Sequence, residues 1–223
     1  MEPSLETMKS ADPGPALRLV RFLHQGLVFS RRASVLSALL AQSVQAGNTV
    51  LDVGCGNGTI GYLMKQIKPT IAIQGLEVML RPSCLIECAR FDGMTIPLPD
   101  SSVDVCMFVD VLHHALDIDA LLGEARRVTR SRVLIKDHLC ETHADRAVLT
   151  FMDWVGNRAH GVRLPYDYHS QGEWRRLFAR HGLQVVEWNQ NLPLYPRPFS
   201  ALFGRGLHCI ALLEKVPVSG AAA

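Results

Sequence analysis

Carboxylates and imidazoles in this sequence recur at one kind of position, directly after short apolar runs. Asp52 closes VLD and leads into GCGNGTIG; Glu77 follows IAIQGL; Asp92 follows ECARF; Asp110, His113 and His114 follow VDVCMFV; Asp137 and His138 follow RVLIK. Any one of these is an ordinary turn former or cap. Five strand-like stretches that each end in an acid describe something more, a ring of carboxylates with imidazoles beside it. Carboxylates hold cations and accept from paired hydroxyls, and an imidazole of pKa about 6.5 takes up protons at neutral pH.

The glycine stretch VLDVGCGNGTIG carries two overlapping patterns. Gly56, Gly58 and Gly61 spell the G-x-G-x-x-G of a dinucleotide site, where a pyrophosphate rests on a helix N-terminus. Asp52, Gly54, Gly56 and Gly58 spell D-x-G-x-G-x-G, which sets a carboxylate beside the loop. That acid and Asp92 repel a pyrophosphate, so the charge pattern favours a cationic ligand. Glu77 serves either reading as a ribose acceptor.

Such residues need a frame. Strand patterns cover Thr49 to Val53, Ile71 to Glu77, Leu85 to Phe91, Val103 to Val109, Arg132 to Lys136, Leu183 to Trp188 and Leu207 to Leu213. Helical spacing covers Leu17 to Phe29, Ser34 to Val44, the stripe Ile60, Leu63, Met64 and Ile67, the stripe from Ile118 to Val128 behind an Asp117 cap, and His143 to Val155. Ser170 and Glu173 form a capping box for a further helix bearing Trp174, Leu177 and Phe178. The alternation predicts an α/β fold, a doubly wound three-layer sandwich with N-terminal helices and ligands at the strands' C-terminal ends. Between strands two and three, MLRPSC and its margins are too short for a crossover helix. The expected organisation is a flexible arm at 1–15, one domain over 16–215 and a loose tail at 216–223; within the domain, 16–46 are N-terminal helices, 47–138 the cofactor half and 139–215 the substrate half.

Composition narrows the partners. With 23 basic and 21 acidic residues, net charge +2, there is no basic face of the kind nucleic acids require. No apolar run reaches the roughly 18 residues of a membrane span, and the first residues lack a signal peptide's apolar centre, so the expectation is a cytoplasmic protein without membrane contact. Six scattered cysteines lack zinc spacing; no metal site and no disulfide is expected.

Taken together, VLDVGCGNG, GLEV, FDGMTIPLPDSSVDVCMFVDVLHH and EARRVTRSRVLIKDH resemble the motifs of the class I S-adenosylmethionine-dependent methyltransferases, in the methyltransferase-11 group, over roughly Ala33 to His138. The resemblance implies a seven-stranded sheet whose last strand is antiparallel, and S-adenosylmethionine, a sulfonium cation, as cofactor. It implies that Gly54, Cys55, Gly56 and Gly58 let the backbone approach the cofactor, with Asp52 near the methionine moiety. Glu77 would take the ribose hydroxyls with Val78 beside it, Asp92 and Gly93 the adenine, and Asp110 with Val111 the methionine side. The missing crossover helix after Glu77 departs from the family pattern.

Methyl transfer is an in-line displacement that needs alignment and, for a hydroxyl nucleophile, a base. His113, His114 and His138 are the candidate catalytic residues, with His169 a further candidate; His24, His160, His181 and His208 read as structural or exposed. Met152 to Ser170 reads as a substrate lid or a packed loop, and Asn191 to Gly206 as a non-helical insertion that covers a small-molecule substrate or forms a homodimer contact. The leading expectation is methylation of an oxygen or carbon of a small molecule. The alternatives are a non-catalytic cofactor-binding domain, a protein methylator, or an NAD-dependent oxidoreductase using Gly56, Gly58 and Gly61.

Overall fold

A computed structural model describes residues 30–157, 165–197, 200–204 and 206–216. The expected arm at 1–15, the helix over Leu17 to Phe29, part of the Met152 to Ser170 segment and nearly all of the 216–223 tail lie outside the described residues.

Seven strands form one sheet: β1 (Thr49–Val53), β2 (Ala72–Glu77), β3 (Glu87–Arg90), β4 (Val103–Val109), β5 (Thr129–His138), β6 (Leu183–Asn189) and β7 (His208–Lys215), in spatial order β3-β2-β1-β4-β5-β7-β6. The pairs among β1 to β5 are parallel, and β7 runs antiparallel to both β5 and β6. Near-continuous apolar runs such as VDVCMFV are what a strand covered on both faces needs, and β1 and β4 occupy the middle of the sheet.

Helices cover both faces. Against one lie α1 (Ser30–Gln42) and α2 (Thr59–Ile67), through Leu36, Leu40 and Met64; against the other lie α3 (Ile118–Val128) and α5 (Gln171–Arg180), through Leu122, Ala125, Trp174 and Phe178. Between them in sequence comes α4 (His143–Asn157), and α6 (Ser200–Phe203) is a single turn. Both expected caps form: Asp117 Oδ1 accepts from the Ala120 amide at 2.9 Å, and Ser170 with Glu173 closes a reciprocal box. Residues 78–86 join the parallel strands β2 and β3 by bends rather than a helix, as the sequence predicts.

Two differences bear on the site. β5 does not stop at Lys136 but runs to His138, because β7 continues the ladder with Asp137 against Cys209 and His138 against His208. Asp137 and His138 are therefore strand residues paired with β7, not residues of a turn. The segment after Asn191 sends Leu192, Leu194 and Tyr195 into the core and contains α6, so it is neither fully superficial nor wholly non-helical. Among the described residues no helix is long and apolar enough to cross a membrane.

Candidate active site

The C-terminal edge of the sheet carries two polar assemblies that meet at Asp110. The first surrounds the glycine loop. Gly54, Gly56 and Gly58 all take positive φ (+73°, +59° and +73°), the left-handed region where L side chains are strained. At Gly54 the space is also closed, since a Cβ would stand 2.5 Å from Cγ2 of Val111. The Gly54 and Cys55 amides donate to the Leu76 carbonyl at 2.7 and 3.1 Å, tying the loop to the end of β2. Glu77, the next residue, accepts from the Gly56 amide at 2.7 Å through Oε2 and from the Met79 amide at 3.2 Å through Oε1. Its carboxylate is thereby aimed before any ligand arrives.

Beside this loop lies a crevice of about 280 Å³, lined by Arg32, Asp52, Gly54, Gly56, Thr59 and Asp110 among others. A more open depression lined by Arg175, Leu183 and Val216 lies at the opposite edge of the sheet, where β6 begins. Burial, with the charge of Glu77, pushes the Asp52 carboxyl up to about 7. Asp110 sits at φ +57° with its two oxygens on Arg32 of α1 and Lys136 of β5. Burial alone would raise Asp110, but these two cations outweigh it and hold the carboxyl well below the usual range. The ring of acids is thus less negative than its sequence suggests: one member is half-protonated near neutrality and another is matched by two cations.

Asp92 stands at the exposed rim, where its Oδ1 accepts from the Met94 and Thr95 amides at 2.8 and 2.7 Å; these bonds lower its pKa. Val78 approaches Gly93 closely enough that a Cβ there would lie 3.3 Å from its Cγ2.

The second assembly is the imidazole cluster. Asp137 Oδ1 meets His113 Nδ1 at 2.6 Å, Asp137 Oδ2 accepts from the Leu112 amide at 3.0 Å, and the His138 amide donates to Oδ1 at 2.7 Å. His113 and His138 touch through their Nδ1 atoms at 3.3 Å, and Lys136 Nζ lies 3.3 Å from His208 Nδ1. Asp153 of α4 takes a 2.5 Å hydrogen bond from the Tyr168 hydroxyl and lies 3.7 Å from His113 Nε2. Burial would lower the His113 imidazole, but Asp137 more than offsets it and raises the pKa. Burial, reinforced by His113, pushes His114 down to about 4, so that ring is neutral. His113 and His138 are buried and His114 is half-buried.

A family model described as a methyltransferase domain matches residues 25–188. The chain belongs to the class I S-adenosylmethionine-dependent methyltransferases. An uncharacterized methyltransferase of Mycolicibacterium vanbaalenii is 28% identical over 186 residues, which cover 69% of this chain and 66% of that protein. The chain spans 36% to 66% of the length of the first curated relatives it matches. Among solved structures, the complex between the Haloferax volcanii Trm112 methyltransferase activator and a methyltransferase gives a TM-score of 0.66 at 18% identity, covering 90% of this chain and 95% of that one. An S-adenosylmethionine-dependent methyltransferase from Mesorhizobium loti gives 0.57 at 14% identity, covering 80% and 96%. At such identities the likeness shows the fold.

Within this methyltransferase the sequence-expected residues divide between the two assemblies. Asp52, Gly54, Cys55, Gly56 and Asp110 line the crevice, Val111 packs under Gly54, and Gly58 and Glu77 hold the loop. Asp92, Gly93 and Val78 gather at the ends of β2 and β3, while His113, His114 and His138 form the cluster. His169 instead packs against Trp174 in a tilted arrangement, with ring centroids 4.8 Å apart. His208, read from sequence as structural or exposed, is a buried member of the cluster. Arg32, Lys136, Asp153 and Tyr168 escaped the sequence reading as site residues. Two of them left a visible signal: Lys136 is a charge closing the buried run VLI of a central strand, and Asp153 falls one turn after Leu149 on the buried side of α4.

Proposed function

We propose that this methyltransferase moves a methyl group to an oxygen or carbon of a small molecule, with S-adenosylmethionine held beside the glycine loop. Asp110 carries the reading: it lines the crevice and is bound through Lys136 to the imidazole cluster, so a cofactor site and a proton-handling site share one sheet edge. The residues present fit this cofactor. Glu77 offers two acceptor oxygens, already oriented, for ribose hydroxyls. Gly54, Cys55, Gly56 and Gly58 leave the backbone open to close approach, and Asp92, Gly93 and Val78 flank the adenine side. Asp52 and Asp110 line the amino-acid end, with Val111 packed under Gly54 beside them, and Arg32 adds a guanidinium suited to a carboxylate.

When bound, the cofactor supplies an electrophilic methyl on a sulfonium sulfur. The chain's own task is to align the acceptor and ease loss of its proton. The edge formed by His113, His114 and His138 suits that task, since the His113 imidazole is fixed by Asp137 and the His114 ring is kept neutral. Incubation with methyl-labelled cofactor and a panel of phenols, quinols, carboxylates and amines tests the reading. Label on oxygen or carbon is expected; label on amines alone, or on protein alone, contradicts it.

Glu77→Ala weakens cofactor binding by about 1 to 3 kcal/mol in a calorimetric titration, the scale of polar partners left unmatched. Unchanged affinity removes Glu77 from the ribose site. Affinity for the cationic cofactor also depends on pH through Asp52. A carboxyl raised to about 7 is protonated below that pH and charged above it, so binding tightens from about pH 6 to about pH 8. Asp52→Asn flattens this rise, and a native profile as flat as the variant's excludes Asp52 from the cofactor's field.

A further inference from the structure

Three ring nitrogens in the imidazole cluster are buried and have no hydrogen-bond partner: His113 Nε2, His114 Nδ1 and His208 Nε2. Such atoms are uncommon in folded chains and call for a physical reason. His113 is already fixed at its other nitrogen by Asp137 at 2.6 Å, which turns Nε2 toward α4, where Asp153 Oδ2 waits at 3.7 Å. One ligand atom from each of His113, His114 and Asp153 lies within 4.8 Å of the others. Asp153 in turn takes the Tyr168 hydroxyl at 2.5 Å. Outer partners of this kind, a carboxylate behind an imidazole and a hydroxyl behind a carboxylate, are how metal ligands are oriented.

An ion pair between His113 and its two aspartates would account for His113 alone. It leaves His114 Nδ1 buried with nothing to bind. A cation between the three residues satisfies His113 Nε2 and His114 Nδ1, and leaves His208 Nε2 outside the site. Two imidazoles and one carboxylate suit a borderline divalent ion of the zinc, cobalt or iron kind, whereas calcium and magnesium prefer all-oxygen shells. Three protein ligands also leave coordination positions open. A neighbouring trio, Asp110, His138 and His208, is disfavoured because Arg32 and Lys136 already occupy Asp110 and Lys136 reaches His208.

We propose that His113, His114 and Asp153 bind one borderline divalent cation whose open positions face the methyl acceptor. The proposal rests on the reading above for what those positions face, and it refines that reading: the imidazoles act on the acceptor's proton through the ion. The acceptor class is then a small molecule presenting an oxygen, whose hydroxyl ionises more readily next to a dication. Its proton passes to solvent. The oxygen then forms the bond to the methyl carbon as the carbon–sulfur bond breaks, with both electrons of that bond remaining on sulfur.

The test begins with chelator-stripped protein titrated with cobalt(II), read by visible d–d absorption and by equilibrium dialysis with metal analysis, no cofactor present. One ion per chain is expected, with a cobalt spectrum of nitrogen and oxygen ligation. His114→Ala and Asp153→Asn lower cobalt affinity by about tenfold or more, while circular dichroism and cofactor affinity stay as in the native chain. No bound ion in the native chain, or unchanged affinity in both variants, overturns the proposal without appeal to how the variants fold. Stripped protein that binds S-adenosylmethionine and methylates as fast as before also overturns it, and leaves the function standing. A chain that binds cobalt through these residues but ignores S-adenosylmethionine upholds the site and rejects the function.

Discussion

Asp137→Ala lowers folding stability by about 3 to 5 kcal/mol, the cost of stranding one member of a buried charged pair. The carboxylate is fully buried and serves three groups at once: the His113 ring, the Leu112 amide and the His138 amide. Removing it leaves a buried imidazole without its counter-charge and two backbone donors without acceptors, each a separate penalty. Asp137→Asn is the milder change, because the amide oxygen can keep one backbone bond while the charge is lost. Urea unfolding followed by circular dichroism checks the pair, with a lower midpoint and an unchanged slope expected for both and the larger fall for Ala. A loss below about 1 kcal/mol for Asp137→Ala means that the cluster is not held together by this residue.

Gly54→Ala costs about 2 to 5 kcal/mol and weakens the cofactor site with it. Two effects add. A left-handed residue with a Cβ is strained by about 1 to 2 kcal/mol, and the new methyl would stand 2.5 Å from Cγ2 and 3.0 Å from Cγ1 of Val111. Val111 is β-branched and cannot swing its methyls aside cheaply, so the overpacking adds about 1 to 3 kcal/mol. Gly56→Ala is the control, having a similar φ but open space around its Cβ; only the backbone strain applies. Thermal unfolding of the two variants should separate them, and equal losses would mean that Val111 yields without cost.

Local chemistry makes much of this legible in the sequence. The apolar run of β4, the Ser170–Glu173 box and the missing helix between β2 and β3 depend on neighbours in sequence, and all appear as expected. Long-range pairing was not legible. β5 reaches His138 because His208 pairs with it from β7, and that extension converts Asp137 from a turn residue into the buried centre of the cluster. Asp110 shows the same limit in electrostatic form. Its acid was visible at a strand end, but its partners Arg32 and Lys136 come from α1 and β5, so counting acids overstated the negative charge of the crevice. Asp153 lay between these cases, an acid on the apolar side of a helix whose reason appears only when α4 packs over His113.

The central claim is that the crevice beside Gly54, Gly56 and Gly58 holds a sulfonium nucleoside rather than a dinucleotide. Isothermal titration of the purified chain with S-adenosylmethionine and, separately, with NAD tests it most directly. Saturable one-site binding of S-adenosylmethionine and no heat with NAD is the expected result. Binding of NAD with no response to S-adenosylmethionine contradicts the account.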